Sequence, residues 1–116
     1  MIVYGIKNCN TVKKALTWLD GHGVAYEFHD YKKKGISAEA LQRWSRQVGW
    51  ESLLNRKGLT WKQLPEAERA KVKTERDAIQ LMMDKTSSIK RPIIEVEGKV
   101  LVLGFDEAAY ARELGE

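Results

Sequence analysis

Between Met1 and His29 the chain passes from a strand pattern to a helical one and back, and that order leaves few folds open. Met1-Ile2-Val3-Tyr4-Gly5-Ile6 reads as a first strand and hands over to the polar segment Lys7-Asn8-Cys9-Asn10-Thr11. From there Val12, Ala15, Leu16 and Leu19 recur at the i, i+3, i+4, i+7 spacing of a buried helix face. Lys13, Lys14, Thr17 and Asp20 fall on the other side, and Gly21 and Gly23 stop the helix. Val24-Ala25-Tyr26-Glu27-Phe28-His29 then alternates as a half-buried strand, with Val24, Tyr26 and Phe28 on one face. With so little chain between them, the two strands form a βαβ unit. They are expected to be parallel, with a right-handed crossover.

The middle of the chain reads as one helix after another. Lys32 to Gly35 is expected to be a loop. Ser37 caps the next helix, with Ile36 and Leu41 as a hydrophobic staple, Leu41, Trp44 and Val48 as the inner stripe and Gly49 as the stop. A short turn from Glu51 to Leu54 is closed by Gly58. Thr60-Trp61-Lys62-Gln63 has capping-box spacing, with Leu59 and Leu64 as staple, ahead of a helix from Pro65 to Val72. Thr74 with Asp77 caps another, whose inner face carries Ala78, Ile79, Met82 and Met83. Trp50 and Trp61 are expected in the core, as aromatic residues at helical spacing usually pack inward.

The β pattern returns after Thr86-Ser87-Ser88-Ile89-Lys90-Arg91. Pro92 to Val96, a turn at Glu97-Gly98-Lys99, and Val100 to Leu103 make an antiparallel hairpin. Asp106 caps the last helix, with Phe105 and Tyr110 as staple and Ala109, Tyr110 and Leu114 inward. The order βαβ, helical block, ββα is that of an α/β protein: a thioredoxin-like mixed sheet with an all-helical insertion between its halves. One domain is expected, with residues 1–36 and 86–116 as the sheet core and 37–85 as the insertion.

A chain of 116 residues is long enough to build a core without disulfide staples, and its single cysteine allows no internal disulfide. That usage suits a reducing compartment. The chain enters a strand at once, without a signal-peptide pattern, and has no apolar run near the roughly 18 residues that a membrane span needs. A cytoplasmic protein without membrane contact is therefore expected. The net charge of +4 comes from both signs, and only Lys32-Lys33-Lys34 and Lys13-Lys14 cluster. This is expected to be solvated surface, not a nucleic-acid interface, although mild positive charge also suits steering of an anionic ligand. His22 and His29 are separated by a glycine turn and form no ligand pattern with Cys9, so no metal is expected. A monomer is expected.

Cys9 is the candidate chemical group. A cysteine at a helix start sees the partial positive charge of free backbone N–H groups, which favours the nucleophilic thiolate. Lone cysteines are also often small buried hydrophobes with no chemistry. Packing cysteines usually lie within apolar runs, whereas this one is flanked by Asn8 and Asn10 with Lys7 close by. Both readings stay open on local sequence, and the polar flanks favour the reactive one.

Three segments taken in order resemble one family. They are Gly5-Ile6-Lys7-Asn8-Cys9-Asn10-Thr11 with Lys13-Lys14-Ala15, then Leu53-Leu54-Asn55-Arg56, then Ile89-Lys90-Arg91-Pro92-Ile93-Ile94, with Val102-Leu103-Gly104-Phe105 beyond. Together they resemble the arsenate-reductase-like (ArsC) family, in particular its Spx/YffB branch, over essentially the whole chain. The resemblance implies a thioredoxin-like fold with one nucleophilic cysteine at the first helix, matching Cys9. It also implies that Arg56 and Arg91 hold an oxyanion and glutathione, with Pro92 as a cis-proline. Guanidinium groups suit that role because they bind carboxylate or arsenate oxygens bidentately. Alternatives remain for two of these positions: Arg56 as a surface helix-end cation, and Pro92 as the start of an edge strand.

Two departures bear on function. The further arginine of arsenate reductases falls at Gly104 here, which argues against arsenate reduction. The two-cysteine switch of Spx regulators is missing, since Val12 stands where the second cysteine would lie. The resemblance therefore implies first a glutathione-dependent thiol–disulfide oxidoreductase with no bound cofactor and glutathione as co-substrate. Cys9 would be the nucleophile, with Asn10 and Thr11 helping to stabilise the thiolate and Arg56 and Arg91 gripping glutathione. The alternatives are a Spx-like regulator that binds RNA polymerase and an arsenate reductase.

Overall fold

A computed structural model describes residues 1–115. The chain divides into two units, one formed by Met1–Lys34 with the segment from Arg91 onward, the other by Gly35–Lys90.

The first unit is built on four strands, β1 (Ile2–Gly5), β2 (Glu27–Asp30), β3 (Ile93–Val96) and β4 (Lys99–Leu103), in the order β2-β1-β3-β4. β1 and β2 are parallel, and β3 runs antiparallel to both β1 and β4. This is the mixed α/β sheet of a thioredoxin-like fold. Helix α1 (Asn10–Gly21) joins the parallel pair, and α8 (Glu107–Leu114) follows β4. Val3, Ile94 and Val102 sit opposite one another across three strands, and they meet Ala15 and Leu19 of α1 and Tyr110 of α8 in the core. Because side chains alternate along a strand, Tyr4, His29 and Glu95 project to the opposite face.

Local chemistry accounts for most of these boundaries. Glu97 (φ 50°) and Gly98 (φ 80°) form the two-residue turn between β3 and β4, whose twist requires positive φ at both positions. The turn is thus one residue shorter than expected, and β4 starts at Lys99. Asp106 accepts the Ala108 N–H at 3.0 Å and caps α8. β2 starts only at Glu27, later than the alternation predicts, although Val24 and Tyr26 still pack against the core. The chain after β2 departs further: Tyr31–Lys34 forms one helical turn, α2, with Tyr31 fully buried and the three lysines exposed.

The second unit is helical: α3 (Ala38–Val48), α4 (Trp50–Leu53), α5 (Leu59–Gln63), α6 (Glu66–Ala70) and α7 (Glu75–Asp84), then a 3-10 turn at Thr86–Ser88. The Ser37 hydroxyl caps α3 by accepting the Ala40 N–H, and Thr74 and Asp77 form a reciprocal capping box on α7. α7 packs against α3 and α4. Leu41, Trp44, Leu53, Leu54, Met82 and Ile89 are the largest of this unit's fully buried side chains. An isolated antiparallel bridge, Leu54 with Ile89, ties the chain after α4 to the end of the unit.

Three expectations fail here. Thr60 closes no capping box; α5 begins after Gly58, and the Thr60 hydroxyl bonds Ser87 Oγ at 2.6 Å instead. Met83 is 38% exposed, one step off the face that buries Ala78, Ile79 and Met82. Trp50 and Trp61 are half-buried, not core, because they hold a cation between them (below).

Candidate active site

β1 ends at Gly5, where an added Cβ would lie 2.9 Å from the Val12 side chain. The missing side chain lets the first turn of α1 close onto the strand end. Cys9 then becomes the N-cap of α1 in extended conformation, and its carbonyl accepts the Lys13 N–H at 2.9 Å. Every other helix of eight or more residues carries a carboxylate in its first turn; α1 carries none. The stabilising negative charge that a helix start favours is left for the thiolate to supply.

The Cys9 thiol is partly buried. Burial alone would raise its pKa, and this is the largest single influence. It is outweighed by the Val12 N–H, by the hydrogen bond and positive charge of the Arg91 side chain, and by the Thr11 N–H, so the pKa falls below its ordinary value. No geometrically complete capping bond reaches Sγ, and the amides act by facing the charge.

Each residue singled out from sequence has a definite place. Asn10 and Thr11 are exposed at the start of α1, and the amides that face Sγ are those of Val12 and Thr11. Arg91 is half-buried and reaches Cys9. The Arg91–Pro92 bond is cis, and the Pro92 carbonyl accepts the Gly104 N–H at 2.7 Å. β3 lies between β1 and β4, so Pro92 does not open an edge strand. Gly104, at φ 80°, turns the chain from β4 toward α8 and presents no side chain. Arg56 belongs to the helical unit, where its guanidinium lies 5.7 Å from the Trp50 ring centre and 5.9 Å from that of Trp61. Two rings within cation–π range hold the guanidinium while leaving the residue exposed.

Sequence reasoning missed the polar group behind Arg91. Tyr4 donates a buried hydrogen bond to Glu95 Oε1 at 2.9 Å, and the Tyr4 ring packs against His29 at 4.9 Å and Tyr31 at 6.4 Å. The Tyr31 hydroxyl is buried without a hydrogen-bond partner, and burial pushes its pKa well up. Electrostatic interaction with the neighbouring Tyr4 and with Glu95 adds to that rise, while Arg91 opposes it. Arg91 therefore acts on both Cys9 and Tyr31. The available signal was Glu95 itself, a carboxylate inside the apolar strand Ile93-Ile94-Glu95-Val96, since a buried charge requires partners.

Comparison with known proteins places this chain in a family. The ArsC family model matches residues 4–112. The chain belongs to the ArsC family. This is a family of arsenate-reductase-like thiol oxidoreductases. The solved structure of the protein YFFB is 50% identical, covers 97% of each chain and superposes with a TM-score of 0.90. An arsenate reductase (ArsC) related protein from Brucella melitensis is 49% identical over 96% of this chain and 91% of its own, with a TM-score of 0.77. A curated relative, an uncharacterized protein of Haemophilus influenzae, is 42% identical over 111 residues, 93% of either chain. Among the described residues no helix is long and apolar enough to cross a membrane.

Proposed function

We propose that this ArsC-family chain is a glutathione-dependent thiol–disulfide oxidoreductase of the reducing cytoplasm. The observation that carries the reading is the setting of Cys9, the one thiol in the chain, at a helix start with the Val12 and Thr11 amides and Arg91 turned toward it. A thiolate so favoured is a nucleophile near neutral pH.

The Cys9 thiolate attacks the glutathione sulfur of a mixed disulfide R–S–S–G. A Cys9–glutathione disulfide forms, the original S–S bond breaks, and R–S⁻ leaves and takes a proton from water. Free glutathione, as thiolate, then attacks the adduct, releasing oxidised glutathione and returning Cys9 as thiolate. No second cysteine exists to resolve the adduct internally, so glutathione must do it. Arg91 steadies the thiolate as leaving group in the second step. The assignment of Arg56 to a glutathione carboxylate follows from the family resemblance; its preorganisation between two tryptophans suits that task. Arsenate is a poor substrate in this reading, because Gly104 supplies no cation where arsenate reductases place an arginine.

The test is reduction of cysteine–glutathione disulfide coupled to glutathione reductase and NADPH. Turnover should require free glutathione and vanish in Cys9→Ser. Sustained turnover by that variant, or none by the wild type, overturns the proposal.

A further inference from the structure

A groove of about 690 Å³ runs along the exposed side of α1, beginning at Asn10, the residue after the nucleophile. Lys13, Lys14 and Thr17 line it, Trp18 and Phe105 contribute its apolar surface, and Glu107 is its one acidic residue. From Cys9 to Trp18 the helix advances roughly 13 Å at 1.5 Å per residue, about the length of four residues of extended chain. The aromatic surface is prearranged. Trp18 meets the buried Tyr110 edge-on at 5.4 Å, Phe105 meets the same ring edge-on at 4.9 Å, and the Tyr110 hydroxyl is tied to the Gly104 carbonyl at 2.7 Å. His22 stacks on Trp18 at 3.8 Å and holds the indole further.

Its charge is one-sided near the thiol. Residues 1–19 include Lys7, Lys13 and Lys14 and not one carboxylate. Lysines in the first turns of a helix oppose its dipole, so they do not serve α1 itself. With glutathione on one side of the reacting sulfurs, the other half of cysteine–glutathione disulfide is a single amino acid, too short to fill a groove this long. A polypeptide carrying the disulfide extends past the sulfurs along it.

We infer that this groove docks an acidic segment of a protein disulfide substrate, next to its glutathionylated cysteine, so that Lys13 and Lys14 select the substrate while Cys9 performs the exchange. The inference rests on the oxidoreductase reading and names its substrate class. The bond changes are those already given, with R a polypeptide.

The experiment compares wild type with the double variant Lys13→Gln/Lys14→Gln on three disulfides. Two are glutathionylated hexapeptides, one with Asp and Glu flanking the cysteine and one with Ser and Asn. The third is cysteine–glutathione disulfide. Wild type should prefer the acidic peptide roughly five- to tenfold in kcat/KM at low salt, the scale that two exposed charge pairs support. That preference should collapse in the variant and in about 0.5 M NaCl. Cysteine–glutathione disulfide, whose single net negative charge meets only the general field of the lysines, should lose far less in the variant than the acidic peptide does. Equal use of the two peptides by wild type overturns the inference and leaves the oxidoreductase reading standing. An equal loss on all three substrates in the variant also overturns it, because the lysines would then serve glutathione or the thiol. Failure of wild type on every disulfide overturns the oxidoreductase reading and the substrate role with it. In that event the unmodified acidic peptide is titrated against the Trp18 indole N–H resonance, and an unmoved resonance removes the groove as a peptide site.

Discussion

At the scale of single residues, the chemistry of this protein turns on a contest at one sulfur atom. Desolvation raises the Cys9 pKa; two backbone amides and one guanidinium lower it, and they win. The amides come with the helix, and only proline, which also restrains the backbone, would remove one, so Arg91 is the cleanly separable contributor. Arg91→Met keeps the apolar stem and deletes the hydrogen bond and the charge, and it should raise the Cys9 pKa. Alkylation by iodoacetamide, followed by mass spectrometry across pH, reads this directly because the chain has one thiol. For wild type the rate should rise with a midpoint below the ordinary value of about 8.5. In the variant the midpoint should move up, with slower alkylation near neutrality and convergence once both thiols are ionised. An unmoved midpoint would show that the amides alone hold the thiolate.

At the scale of elements, the site depends on how closely α1 approaches the end of β1. Gly5→Ala would place a methyl group 2.9 Å from Val12 Cγ2, on a β-branched side chain with little freedom to move. The start of α1 must then shift, and the Val12 amide that faces Sγ shifts with it. Urea denaturation should show a loss of about 1–3 kcal/mol, the usual cost of overpacking, and the Cys9 midpoint should rise in the same variant. A loss of stability with an unchanged midpoint would separate the packing role of Gly5 from the site. Elements whose signals are local were legible in the sequence: the α1 stripe, the Ser37, Thr74 and Asp106 caps, the parallel β1–β2 pair. Those decided at a distance were not. Thr60 has perfect spacing for a cap, yet Ser87 takes its hydroxyl. Tyr31 borders a lysine run that reads as a solvated loop, and its burial is set by Tyr4 and His29 on neighbouring strands. The helix-start position of Cys9 was written in local spacing. Arg91, far along the chain, entered only through family resemblance.

At the scale of the whole molecule, the +4 net charge gains meaning from where its members fall. Spread evenly, four charges would do little beyond aiding solubility. Lys7, Lys13 and Lys14, however, lie on the segment that carries the nucleophile, and the nearest carboxylate along the chain is Asp20, at the far end of α1. A positive field over the thiol raises the local concentration of anions, and the effect fades as salt shortens the Debye length from about 30 Å at 0.01 M to about 8 Å at 0.15 M. Two alkylating reagents of similar size isolate this field from intrinsic reactivity: iodoacetate carries a negative charge and iodoacetamide none. The iodoacetate-to-iodoacetamide rate ratio for Cys9, divided by the same ratio for free glutathione, cancels the difference between the reagents themselves. That quotient should exceed one at low ionic strength and fall toward one as salt is added. The Lys13→Gln/Lys14→Gln variant should start nearer to one. A quotient indifferent to salt would mean that Arg91 and the helix amides, which face the sulfur, account for the anion preference without the lysines.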